Sequence, residues 1–161
     1  MARGLRVTAE LMNEPQTSAT SVATQNFDQE LALAILRIFM GFNMFMHGAA
    51  RIFGHMTEFV NKTTEQFAPT ILPAPLVHLY ATTLPFIEFG LGALLMLGLW
   101  TRWNLIAQLA LLASLTFGMS LLQNWSIVGS QIVYALAFFA LLYLNRPNRF
   151  SLDGLLDQRK S

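Results

Sequence analysis

Long apolar segments alternate with shorter polar connections along this chain. Four segments of roughly 17 to 25 residues contain few charged side chains. They run from Leu31 to Phe53, from Leu76 to Leu99, from Asn104 to Leu122 and from Ile127 to Leu144. Each is long enough to cross a hydrocarbon core about 30 Å thick as a helix, and none shows the alternation of barrel strands. Because lipid cannot satisfy backbone polar groups, the pattern predicts an all-α, polytopic membrane four-helix bundle.

Polar segments flank the predicted bundle, which occupies residues 31–146. Residues 1–30 are rich in Thr, Ser, Gln and Glu, which predicts a disordered N-terminal tail, with a docking segment for a partner subunit as the alternative. Residues 147–161 are predicted to form a cytoplasmic C-terminal tail. The connection 54–75 has apolar residues at helical spacing, which predicts a short amphipathic segment in the first outer loop. Such a segment is either a lid over a site or a plain surface turn, and the plain turn is favoured.

Composition supports a membrane protein and excludes several classes of function. Of the 161 residues, 54% are hydrophobic and only 12% are charged, and the mean hydropathy is +0.47. The net charge of +1 comes from scattered basic residues, so nucleic-acid binding is excluded. The absence of cysteine excludes disulfides, thiolate catalysis and iron–sulfur ligation by this chain.

Basic residues predict the orientation of the bundle. One side of the predicted membrane carries most of them, namely Arg3, Arg6, Arg102, Arg146, Arg149, Arg159 and Lys160. The other side has Lys62, with Arg51 at its boundary. The positive-inside rule therefore places both termini in the cytoplasm, and the predicted location is the inner membrane of a bacterium or archaeon.

Ionisable residues inside the spans are candidates for a functional site. A charge at mid-bilayer costs at least about 2.5 kcal/mol, so such groups usually face a partner, a cavity or a site. Arg37 lies about 9 Å from the cytoplasmic end of the first helix and Glu88 about 17 Å along the returning second helix. These depths predict a buried Arg37–Glu88 ion pair. A purely structural pair is favoured over a protonatable element beside a quinone or a proton path.

Other polar residues of the spans are candidate lining for a polar or quinone site. His47 is a candidate hydrogen-bond donor to a quinone carbonyl, and Asn43 lies one turn below it. With Arg37 and Arg51 these residues share one stripe of the first helix, which is expected to face protein. The remaining candidates are His78, Gln131 and Tyr134. Haem ligation by two histidines is not favoured, because His47 and His78 differ in depth by about 6 Å. No metal site is predicted.

Two sequence runs resemble the DoxX family of small membrane proteins. The first extends from Leu36 to Gly54 and includes His47-Gly48. The second extends from Pro85 to Arg102, with an acidic residue, small residues and a final Gly-x-x-Thr-Arg. The resemblance implies a four-helix bundle linked to membrane redox chemistry, as in the membrane subunit of thiosulfate:quinone oxidoreductase. Arg51 stands where lysine is common in that family.

Three functions follow from these features. The first is a quinone-interacting subunit of a membrane redox complex, which is at most a subunit of an oxidoreductase and binds no covalent cofactor. Its partners are the lipid bilayer and other membrane or membrane-associated redox subunits, which would carry the redox centres. The second is a non-catalytic scaffold or assembly subunit. The third, a small proton-coupled carrier, would titrate Glu88 but lacks the repeats of transporters.

Overall fold

The residues that the structure describes form five main helices, four of which are long and apolar enough to cross a membrane. A computed structural model describes the backbone of residues 2–144 and 150–154, and the side chains of residues 24–144 and 150–154. The helices are α1 (Ala2–Phe53), α2 (Met56–Phe67), α3 (Ala74–Leu97), α4 (Thr101–Leu121) and α5 (Trp125–Tyr143). The candidate spans are Thr24–Phe53 of α1 and the whole of α3, α4 and α5. The predicted all-α four-helix membrane bundle is confirmed.

Helix α1 begins well before the predicted start of the first span. Its backbone is helical from Ala2 onward, and the disorder proposed for residues 1–30 stays a prediction. The sequence of this segment contains helix-favouring Ala, Glu, Gln, Leu and Met between its Ser and Thr residues, and a helix already formed by the following apolar segment can propagate into it at low cost.

Helix α2 is the amphipathic segment expected in the first connection. Val60 and Phe67 are buried on its inner face, and the helix packs mainly against α3. The ring of Phe67 also lies beside Gly118 of α4, so α2 crosses the ends of two spans. We call the end of the bundle that carries α2 the outer end, following the predicted orientation, and the opposite end the inner end.

Helices α1 and α3 form the closest contact in the bundle, and glycines make it possible. A Cβ at position 41 would lie 2.8 Å from the backbone nitrogen of Met96. A Cβ at Gly48 would overlap the carbonyl oxygen of Pro85, and one at Gly92 would overlap the backbone of Phe45. Small residues are the usual means by which membrane helices bring their backbones together. These contacts fix the antiparallel register, in which Gly41 is level with residues 92–96 and Gly48 with residues 85–89.

Apolar side chains fill the interior between the helices. The core consists of Met40, Met44, Leu84, Leu95, Leu105, Leu111, Leu112, Phe138 and Leu141. Large apolar side chains also cover the outside of the bundle, including Phe39, Phe86, Phe117 and Phe139. A surface of this kind is normal where the surrounding solvent is lipid.

The end of α3 and the start of α4 are stabilised by residues from the C-terminus. Gly98 adopts a left-handed conformation (φ 67°) that ends α3. Asp153 then accepts hydrogen bonds from the backbone N–H groups of Trp100 (2.9 Å) and Thr101 (2.8 Å). Its own N–H donates to the carbonyl of Gly98 at 3.1 Å. Part of the predicted C-terminal tail, residues 150–154, therefore folds back onto the α3–α4 turn and caps α4.

The glycine contact predicts a large effect of side-chain size at position 48. Gly48→Val should lower the free energy of unfolding by about 1 to 3 kcal/mol, because the added side chain forces α1 and α3 apart. Denaturant titration in detergent micelles measures the change. Gly90→Ala is the matched control, since a Cβ at position 90 meets open space. Equal destabilisation by both substitutions would contradict the close contact.

Capping by the C-terminal segment predicts a second effect. Asp153→Ala should destabilise the protein by about 0.5 to 2 kcal/mol, because the first N–H groups of α4 lose their acceptor. Asp28→Ala removes an exposed carboxylate and serves as the control. Thermal unfolding followed by circular dichroism compares the two variants. Identical melting temperatures for Asp153→Ala and the native protein would show that the cap does not form.

Candidate functional site

Glu88 is a buried carboxylate within the third helix. It lies on the inward face of α3, with Leu84 and Leu95 on the same face, and only 3% of its surface is exposed. Its single ion-pair partner among the described residues is Arg51 of α1, whose Nη1 donates to Oε2. Side chains of a helix lean toward its N-terminus. Glu88 on the inward-running α3 therefore leans outward and Arg51 on the outward-running α1 leans inward, so the two side chains converge.

Arg51 is held on two sides. Its guanidinium contacts the Glu88 carboxylate and also lies 4.6 Å from the centre of the Phe59 ring on α2. A guanidinium over an aromatic face is stabilised by the negative potential of the ring. Arg51 thus joins α1, α2 and α3, and it keeps 27% of its side chain exposed. The exposed part faces a cleft at the outer end.

This outer cleft is an open cavity of about 400 Å³ between the end of α1 and α2. It is lined by Ala50, Arg51, His55, Glu58, Phe59 and Lys62. The walls combine one aromatic face with basic and acidic groups, so the cleft offers hydrogen-bond donors and acceptors beside an apolar surface. Since α2 supplies half of the lining, it forms one wall of the cleft.

A second polar contact lies behind the ion pair. The hydroxyl of Tyr80 on α3 is 2.7 Å from the hydroxyl of Ser114 on α4. Tyr80 is near enough to Glu88 and Arg51 to interact electrostatically with both. The outer half of the bundle therefore contains two polar contacts, the Arg51–Glu88 pair between α1 and α3 and the Tyr80–Ser114 hydrogen bond between α3 and α4.

The predicted Arg37–Glu88 pair is wrong, although both side chains are buried. Arg37 donates from Nη2 to the carbonyl of Phe150 at 2.7 Å, and its guanidinium lies beside Gly98. Glu88 and Gly98 are ten residues apart on α3, which is about 15 Å along the helix axis. The prediction compared backbone depths and ignored the direction of the side chains. Arg37 leans toward the inner end and Glu88 toward the outer end, so the two move apart.

The polar stripe of α1 does not face the protein along its whole width. Arg37 is buried, Arg51 and Asn43 are half-buried, and His47 is exposed. The packed face of α1 is centred on Gly41 and Gly48, about 100° around the helix from His47. His47 therefore lies on the outside of the bundle, one turn further into the membrane than Arg51.

The other predicted lining residues lie away from the outer cleft. His78 is exposed on the first turns of α3. Gln131 and Tyr134 are half-buried on α5, and Tyr134 packs against the apolar core. Among the described residues no group of three or more His, Asp or Glu side chains is placed to hold a metal ion.

Several residues of the outer cleft were not identified from the sequence as site residues. Glu58, Phe59 and Lys62 belong to the amphipathic segment predicted within residues 54–75, and Tyr80 and Ser114 carry no separate signal in the sequence. The spacing of Glu58 and Lys62, one helical turn apart on the segment directly after Arg51, is the feature that could have connected α2 with the charged end of α1.

These features define a polytopic membrane bundle with a buried ion pair beneath an outer polar cleft. The model of the family described as methylamine utilisation protein MauE matches residues 29–132. The chain therefore belongs to the MauE family. No curated protein and no solved structure gives a significant match.

The resemblance to DoxX is corrected by this match, because MauE is a different membrane family. The features that suggested DoxX have general causes in this structure. Gly48 and Gly92 permit close packing of α1 on α3, and Gly98 ends α3 in a left-handed turn. Glycine is common at such positions in any membrane bundle, because it permits both close helix packing and a left-handed helix end. What the family supports is an integral membrane protein with a role in a redox-related process, methylamine utilisation.

The ion pair predicts unequal effects of removing its two members. Arg51→Gln should destabilise the protein by about 3 kcal/mol or more, because it leaves the buried Glu88 carboxylate without a cation. Glu88→Gln should cost less, because the exposed part of Arg51 can still contact water. Unfolding in detergent by denaturant titration gives both values.

A double variant measures the interaction between Arg51 and Glu88 apart from the effect of each single substitution. Arg51→Gln with Glu88→Gln should be more stable than Arg51→Gln alone, since no charge is then left buried without a partner. Arg102→Gln, which removes an exposed basic residue at the other end of the bundle, is the control for loss of one positive charge. Additive effects of the two substitutions would argue against a direct interaction.

Proposed function

We propose that this chain is a membrane subunit of a redox assembly and that its outer cleft binds the headgroup of a membrane quinone. The single observation that carries the proposal is the Arg51–Glu88 pair, a charged centre that borders the outer cleft. The redox role of the MauE family supports the first part of the proposal. The second part depends on the geometry of the cleft.

The size and lining of the cleft suit a quinone headgroup. Its volume of about 400 Å³ lies within the usual range for small-molecule sites. Quinone carbonyl oxygens are hydrogen-bond acceptors, and Arg51 and Lys62 are the donors of the cleft that carry a positive charge. The ring of Phe59 offers an apolar surface next to them. A quinone ring can therefore place a carbonyl oxygen beside the charged donors and its apolar face beside Phe59.

The position of the cleft also suits a ligand that arrives from the membrane. Ala50 lines the cleft and is exposed, and His47 is exposed one turn deeper on the same helix. The surface from the cleft toward mid-membrane is therefore open on the α1 side. A headgroup can lie in the outer cleft while its isoprenoid tail follows the apolar outside of α1, where Phe42 and Met46 are exposed.

This chain supplies binding and orientation in the proposed assembly. Arg51 holds one edge of the headgroup, and Glu88 fixes the Arg51 guanidinium from behind. The bound quinone supplies the electron and proton acceptor. The sequence has no cysteine, so this chain itself contributes no thiol.

A scaffold subunit is the second candidate, and the exposed His47 favours it. An imidazole that faces lipid within a membrane span is costly, and such residues usually meet a partner. A transmembrane helix of a partner subunit with a hydrogen-bonding side chain would cover His47. In that case the Arg51–Glu88 pair would only fix the packing of α1, α2 and α3.

Binding of a short-chain quinone tests the proposal. Decylubiquinone added to the protein in lipid nanodiscs should quench the intrinsic fluorescence in a saturable way. Arg51→Gln should weaken this binding at least 10-fold, which corresponds to about 1.4 kcal/mol. Glu65→Gln removes an exposed carboxylate of α2 outside the cleft lining and should leave binding unchanged.

His47→Ala tests the scaffold function. Loss of association with partner subunits while quinone binding persists would assign His47 to an interface. No saturable binding by the native protein would contradict the quinone site.

A further inference from the structure

A stripe of buried polar residues runs along the inner half of α4. Thr101, Asn104 and Gln108 follow one another at spacings of three and four residues, so they lie on one face of the helix. Their exposed fractions are 8%, 4% and 0%. All three face the interior of the bundle, on the same buried face of α4 as Leu105 and Leu112. They play no part in the outer cleft.

Most of the polar atoms of this stripe have no hydrogen-bond partner among the described residues. These atoms are the Thr101 hydroxyl, Asn104 Oδ1, and both Oε1 and Nε2 of Gln108. The guanidinium Nε of Arg37 is in the same situation. An unsatisfied buried polar group costs about 1 to 3 kcal/mol, and native structures contain few of them. Five such atoms in one region therefore point to a ligand.

The inner end of the stripe reaches the Arg37 guanidinium. A Cβ at Gly98 would lie 3.0 Å from its central carbon, and Gly98 is three residues from Thr101. The Thr101 N–H donates to Asp153, which also attracts Arg37 electrostatically. Arg37, Asp153 and Thr101 thus form a polar group at the inner end of the bundle, where the C-terminal segment meets the α3–α4 turn.

The other end of the stripe reaches the depth of Glu88. Asn104 Nδ2 donates to the carbonyl of Leu91 at 3.0 Å, which places these two residues side by side on antiparallel helices. Gln108 lies four residues further along α4 and is therefore level with residues 87–88 of α3. Both Gln108 and Glu88 lie on the buried faces of their helices.

The chemistry of the unsatisfied atoms identifies the ligand class. The bond from Asn104 Nδ2 to Leu91 fixes the Asn104 amide, so its Oδ1 is an acceptor that faces the interior. Arg37 Nε is a donor, the Thr101 hydroxyl is both, and the Gln108 amide offers one of each. A simple anion would satisfy only donors and a metal cation only acceptors. Water satisfies both, and buried water usually makes two to four such bonds.

We propose that the Thr101–Asn104–Gln108 stripe binds a column of ordered water molecules that extends from Arg37 at the inner end to the depth of Glu88. The column ends at Gln108, whose side chain leans toward the inner end and away from the Glu88 carboxylate, so it is separate from the outer cleft. This inference goes beyond the proposed quinone site and does not depend on it.

Water contact at Gln108 can be measured directly in the native protein. Proton-detected solid-state NMR in lipid bilayers, with magnetisation transferred from water, should show rapid transfer to the Gln108 side-chain NH₂. That signal is assigned by its loss in Gln108→Leu. The side chain of Gln66, which is exposed, is the positive control, and the backbone N–H of the fully buried Leu105 is the negative control. Transfer to Gln108 as slow as to Leu105 would overturn the proposal.

The stability of Gln108→Leu gives a second and independent result. In a dry interior the substitution removes an unsatisfied amide and should raise the melting temperature. In a hydrated column it removes partners of the water molecules and should lower the melting temperature and slow the transfer from water to the Asn104 side chain. A raised melting temperature with an unchanged Asn104 signal would also overturn the proposal. Gln108 does not line the outer cleft, so neither result decides whether the cleft binds quinone.

Discussion

The Arg51–Glu88 ion pair is the interaction on which the arrangement of the outer half depends. A carboxylate that is 97% buried within a membrane span is tolerated only with a partner. Its partner comes from α1, and the close approach of α1 and α3 at Gly48 brings the two helices near enough for the pair to form. The same guanidinium then holds α2 through the face of Phe59. One cation thus fixes three helices and creates the wall of the outer cleft.

Arg37, the second buried cation of α1, has different partners at the inner end. Arg37 uses a backbone carbonyl of the C-terminal segment, and Asp153 of that segment caps α4. The two charged centres are therefore separate, one at each end of the bundle. The outer centre is associated with an open cleft and the inner one with the buried polar stripe of α4. The proposed ligand site at the outer end and the proposed water column at the inner end are therefore separate parts of one small bundle.

The sequence predicted the membrane bundle because the length of an apolar segment and its helical content follow directly from the thickness and dryness of the bilayer. It also identified Glu88 and Arg51 as members of the polar set. The sequence-based prediction paired Glu88 with Arg37 and not with Arg51, because it compared backbone depths and took no account of the direction in which each side chain extends. The sequence did not predict the docking of residues 150–154, because the contacts of Asp153 with Trp100 and Thr101 join positions about 50 residues apart. The stripe containing His47 was expected to face protein, but His47 is exposed, because Gly41 and Gly48 and not the polar residues set the packed face of α1.

The separation between Glu88 and the two arginines tests this account most directly. Solid-state NMR dipolar recoupling can measure the distance from the ¹³C-labelled Glu88 carboxyl to ¹⁵N-labelled guanidinium groups in bilayers. The account predicts a carboxylate within about 4 Å of a guanidinium nitrogen, a contact that disappears in Arg51→Gln and persists in Arg37→Gln. A contact that persists in Arg51→Gln and disappears in Arg37→Gln, or the lack of any contact in the native protein, would contradict it.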